Sequence, residues 1–172
     1  MRRDLFRPTV EGEARLLLLI HEFSRHGRSL EGRTKLAKLD FFLRYPLYLK
    51  RALEIRAPGT QLSVDTAEVE NFETRMVRYR YGPWDPAYYS LLGRLIGKGL
   101  VAATHGTRGI WFKTTDAGKE VAQDIGSTEE WEAIRQRTEL LGNHLNLSGS
   151  NLKRFIYRHF PEVTEAAWGE KL

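Results

Sequence analysis

The segment GLVAATHGTRGIWFKTTDAGKEVAQDI, residues 99–125, constrains the fold more than any other part of the chain. Gly99 stops a preceding helix, because glycine readily takes the left-handed conformation that ends helices. Leu100 to Ala103 reads as a strand. Gly106 to Gly109 supplies a turn from residues that tolerate positive φ. Ile110 to Lys113 returns as a second strand. Thr115 or Asp116 then offers an oxygen that caps another helix, Ala117 to Ile125. A helix, a tight hairpin and a capped helix in this order leave few options. The expected class is mainly α (α+β), with one small β-hairpin among helices.

The flanks fill in the helices. Glu11 to Phe23 carries apolar residues on a broad face, and Gly27 offers a stop. Arg33 to Arg44 places Leu36, Leu39, Phe42 and Leu43 on one face. Pro46 ends that helix and suits the first turn of the next, Pro46 to Ile55. Residues 56–64 read as a loop, and Asp65 to Glu73 as a short helix. Thr74 to Tyr81 reads as a strand, with Met76, Arg78 and Arg80 on one face and Val77, Tyr79 and Tyr81 on the other. Gly82-Pro83 breaks it. Asp85 before Pro86 starts a helix to about Lys98, with Tyr88, Leu91, Leu92, Leu95 and Ile96 on its apolar side. Thr128 to Leu141 and Asn151 to Phe160 read as two more helices.

At 172 residues, 41% hydrophobic and 28% charged, the chain suits one globular domain of residues 1–172. Its parts would be basic helices (1–60), the hairpin-bearing module (65–126) and closing helices (127–172). It has no cysteine, which excludes disulfides and thiolate metal sites and fits a reducing cytoplasm. The longest apolar run, Leu16 to Ile20, is too short to span a membrane. The net charge of +5 is unevenly spread: residues 1–60 hold 13 Lys/Arg against 7 Asp/Glu, whereas residues 61–127 hold 8 of each. A basic third is compatible with an acidic partner or nucleic acid.

No catalytic constellation stands out. The histidines, 21, 26, 105, 144 and 159, make no His-x-x-x-His or Glu-x-x-His pair. There is no Gly-x-Ser-x-Gly elbow and no phosphate-cradling glycine loop. Glu129, Glu130 and Glu132 sit in the first turn of a helix, where carboxylates favour the dipole. The reading is therefore of a non-enzymatic chain with no catalytic, cofactor or metal residues.

Recognition is the live option. RYRYGPWDPAYY, Arg78 to Tyr89, concentrates aromatics and cations. Tyr79, Tyr81, Trp84 and Tyr88 are candidate partner contacts, because aromatics dominate interface hot spots. Arg78, Arg80, Arg94, Lys98, Arg108 and Lys113 are candidate DNA contacts. The helix before the hairpin offers few base readers, and its module is charge-neutral, which is poor for a stand-alone DNA binder. Arg33, Lys35, Lys38 and Arg44 form a second basic set, read as a solvated face.

The phrase KGLV…FKTTDAGKEVA resembles the wing of many bacterial winged helix–turn–helix proteins. GRTKLAKLDFFLRYP, MVRYRYGPWD and YRHFPEV together resemble the middle component of bacterial ABC-three-component systems, the Lamassu-type defence operons. That resemblance implies a winged-helix core and a cytoplasmic adaptor between an SMC-like or Rad50-like ATPase and an effector, possibly a nuclease. It implies anti-phage or anti-plasmid action on DNA and no membrane. The alternative expectation is a dimeric winged-helix transcriptional regulator that binds operator DNA.

Overall fold

The computed structural model describes residues 7–64, 76–79, 82–107, 109–167 and 169–172. The expected helix Asp65 to Glu73 lies outside them, as do Arg80, Tyr81 and Arg108. The described chain is mostly helical with a small antiparallel sheet, an α+β arrangement. In order it runs α1 (Val10–Phe23), β1 (Leu30–Glu31), α2 (Arg33–Arg44), α3 (Pro46–Arg56), β2 (Val77–Tyr79) and β3 (Gly82–Trp84). Then follow α4 (Tyr88–Gly97), β4 (Val101–Gly106), β5 (Gly109–Thr114), α5 (Asp116–Gly126), α6 (Glu129–His144), α7 (Gly149–His159) and α8 (Pro161–Thr164).

Helix α1 is the hub. Leu16, Leu17, Leu18, Leu19 and Ile20 are all buried, so the helix is apolar on every side at its centre. It packs against α2, α4, α5, α6 and β5. Thr9 caps it by accepting from the Gly12 amide at 2.9 Å. It ends at Phe23, four residues before Gly27, because the Ser24 hydroxyl turns back to the Ile20 carbonyl at 2.6 Å. The same hydroxyl accepts from the Thr114 amide at 3.1 Å, which ties the end of α1 to β5.

The hairpin is longer than its sequence suggests. β4 and β5 pair from Val101↔Thr114 to Gly106↔Gly109. A third strand joins them: Leu30 pairs with Phe112 and Glu31 with Trp111, giving the order β1-β5-β4. Two residues of strand leave no periodicity to read, so β1 was not expected. At the base, the Thr115 hydroxyl donates to the Gly99 carbonyl at 2.6 Å and accepts from the Gly118 amide at 3.0 Å. The Thr115 amide donates to the Leu100 carbonyl at 3.1 Å. A Cβ at Gly118 would lie 1.8 Å from that carbonyl oxygen. The phrase GL…TTDAG is thus one joint between the end of α4 and the start of α5.

Two expectations around the aromatic stretch need correcting. Gly82-Pro83 does not simply break a strand. Gly82, at φ 109°, leads into β3, which pairs antiparallel with β2 in the register Val77↔Trp84 and Tyr79↔Gly82. The next helix begins at Tyr88 rather than Pro86. Asp85 forms a turn first, its carboxylate accepting from the Ala87 amide at 2.8 Å. Residues 169–172 run beside β2, with Leu172 donating to the Met76 carbonyl at 3.0 Å.

Candidate functional site

A buried ionic chain fixes the site from below. Asp40, on α2, has no exposed surface. It accepts from Arg15 Nε of α1 at 2.7 Å and from the Tyr88 hydroxyl of α4 at 2.7 Å. Arg44, one turn along α2, lies 3.6 Å from Asp40 and donates to Asp85 at 2.6 Å. Burial alone would raise the Asp40 carboxyl. Arg15 and Arg44 beside it, with hydrogen bonds from Arg15 and Tyr88, hold it below the ordinary carboxylate range. Burial and the Asp40 charge push the Tyr88 phenol well up, so it stays a donor. Three helices and the β3–α4 junction thereby meet at one carboxylate.

Tyr88 is therefore not a partner contact. It is fully buried, and its ring forms the floor beneath Trp84, edge-on at 5.1 Å and 85°. Above that floor Trp84 gathers Tyr79 at 5.9 Å and Tyr89 at 6.0 Å. Tyr79 and Tyr89 are exposed. The Arg33 guanidinium stacks over the Tyr89 ring at 4.8 Å. Together with Thr34, Lys38, Gly82 and Pro83 these residues line a cleft of about 220 Å³. Among the described residues, no carboxylate lines it.

The second basic set is not a solvated face. Lys35, Lys38 and Arg44 are buried, and only Arg33 is partly exposed. Lys35 donates to Glu31 at 2.8 Å and to Asn146 at 2.9 Å. Lys38 reaches the Thr34 carbonyl at 3.5 Å, and burial, with Lys153 nearby, pushes its ammonium down to about 7. The sequence was misread because α2 is buried nearly all round, so its polar stripe also faces protein. Asp40 and Arg15 were missed. The available signal was the Asp40–Arg44 spacing of one turn, flanking the apolar run Phe41 to Leu43.

The candidate DNA contacts scatter. Arg78 is buried, its Nε donating to the Thr164 carbonyl at 3.1 Å and a second nitrogen to the Tyr79 carbonyl. Arg94 and Lys98, on the outer side of α4, both pair with Glu13 of α1. Glu13 is itself buried, so it holds both cations back toward α1. The rest of that outer surface is Tyr89, Ser90, Gly93, Ile96 and Gly97. Lys113 is exposed on β5, away from the aromatic cleft.

Among the described residues no group of three or more histidine, aspartate or glutamate side chains is placed to hold a metal ion, and no helix is long and apolar enough to cross a membrane. Comparison with protein-family models, with curated proteins and with solved structures finds no match in any of the three.

Proposed function

We propose that this chain is a protein-docking adaptor built on a winged helix, and that the Tyr79–Trp84–Tyr89–Arg33 cleft seats an acidic, apolar-anchored segment of a partner protein. The winged-helix reading is supported by the order α1–β1–α2–α4–β4–β5 and by the antiparallel sheet β1-β5-β4. Helix α3 and the β2–β3 pair are inserted between the second and third helices of that unit. Within it, α4 stands where a DNA-reading helix would lie.

The observation that carries the docking reading is the aromatic cluster itself. Three rings and a cation converge on an open cleft above an ionic floor, and among the described residues no carboxylate lines it. Preorganised aromatic and arginine anchors are what interface hot spots are made of. The tethering of Arg94 and Lys98 to Glu13, and the small and apolar residues between them, favour docking over base readout on α4. With the sequence resemblance, the proposed setting is a defence complex in which an SMC-like ATPase contacts this subunit and an effector.

The reading requires an SMC-like ATPase gene beside that of this chain, and retention of that ATPase tests it. The wild-type chain is expected to co-purify with it, and Trp84→Ala to weaken the complex about tenfold or more. Arg33→Glu is expected to weaken it further at low salt. A wild-type chain that stays monomeric beside that ATPase would sink the adaptor reading. Equal retention of Trp84→Ala would remove the cleft from it. Sequence-specific binding of duplex DNA by the purified chain would instead favour the regulator.

A further inference from the structure

We propose that a second cleft, between the end of α1 and the start of α5, is a binding site for a phosphate group. It has a volume of about 410 Å³ and shares no lining residue with the aromatic cleft. Cations from three elements line it: Arg25 follows α1, Lys113 comes from β5 and Lys119 from α5. Lys113 and Lys119 are exposed and form no ion pair among the described residues. Arg25 pairs with Glu22, at 3.3 Å to each carboxylate oxygen. Among the described residues Asp116 is the one carboxylate in the lining, so even with Glu22 set against Arg25 the cleft keeps a net positive charge.

A second observation points the same way. His21 lines the cleft, and among the described residues its buried Nδ1 has no hydrogen-bond partner. Native structures rarely leave such an atom unpaired without a reason. Burial first, then Arg25 and Lys119, push the His21 imidazole below its usual value. A dianion seated among these cations offsets the two charge effects and shifts the ring toward its protonated form. The N-terminus of α5 also opens here and adds the positive end of its dipole. A phosphate offers at least three acceptor oxygens to the three cations, where a carboxylate offers two. The bonds from Ser24 to Ile20 and to the Thr114 amide hold α1 and β5 at a fixed separation, so the cleft does not depend on a ligand to form.

The phosphate could belong to a free or terminal phosphate or to a nucleic-acid backbone, and the experiment separates the two. The His21 ring is titrated by NMR in the full chain at low salt, alone, with inorganic phosphate, and with a random-sequence DNA duplex. Inorganic phosphate is expected to raise the His21 pKa by about one unit. Lys113→Ala combined with Lys119→Ala is expected to abolish that rise with an unchanged circular dichroism spectrum. A rise with the duplex that the same lysine pair removes assigns the backbone as a source. A rise with inorganic phosphate alone assigns a free or terminal phosphate. The proposal is overturned if neither probe moves the His21 titration, or if the lysine variant responds as the wild type does. Trp84→Ala leaves the phosphate response intact, so failure here and failure of the docking reading are distinguishable.

Discussion

Asp40 and Lys38 lie two residues apart on α2, and burial treats them in opposite ways. Asp40 is compensated by two arginines and a phenol. Removing its charge leaves Arg15 and Arg44 in a dry interior with a missing partner, so Asp40→Asn is expected to cost about 3–5 kcal/mol in urea unfolding. The carboxyl is held below its unfolded value, so its contribution is full above about pH 4 and fades as pH falls through the folded value. Among the described residues Lys38 has only a long contact to a carbonyl. Its ammonium titrates near 7 when folded and near 10.5 when unfolded. Below pH 7 both states carry the proton and the full cost of the buried charge is present. Between 7 and 10.5 the unfolded chain binds more protons, so stability rises with pH. Lys38→Met is expected to raise stability by about 2 kcal/mol at pH 6 and to flatten this rise, as denaturation at pH 6 and pH 9 would show. Neither role was readable from sequence. Spacing places a charge on a helix but does not say whether the next surface out is water or protein.

The elements divide by how local their causes are. The hairpin and the helix after it were legible because glycines, a threonine cap and alternating residues act within a few positions of themselves. Strand β1 was not, since it exists only by pairing with β5 about 80 residues later. The β2–β3 pair was half legible: Gly82 was recognised as a break, but it also opens a second strand that pairs back on β2. At the joint below the hairpin, Gly118→Ala drives a methyl into the Leu100 carbonyl and is expected to cost about 3 kcal/mol. Thr115→Ala loses the cap and the bond to the Gly99 carbonyl and is expected to cost about 1 kcal/mol. Urea midpoints for the two variants check both values. Equal losses would mean that the steric contact is not what selects glycine.

At the scale of the molecule, one apolar cluster draws on all eight described helices, α1 to α8, with α1 at its centre. Of the cleft, the sequence revealed Tyr79 and Trp84. Its second wall, Arg33 and Lys38, comes from a segment about 50 residues earlier and was read as a separate feature. The meeting of α2 with β3 made one site of the two. Freeing Arg94 and Lys98 by Glu13→Gln is expected to strengthen salt-dependent, sequence-independent binding to duplex DNA several-fold, measured by fluorescence anisotropy. An unchanged salt slope would show that α4 does not approach phosphate at all. The joint at Gly118 has a mechanical consequence here. Because the threonine clasp fastens both ends of the hairpin to the same turn of backbone, the hairpin acts as a lever with a clamped root. A load on the hairpin would pass through that joint into α5, which packs on α1.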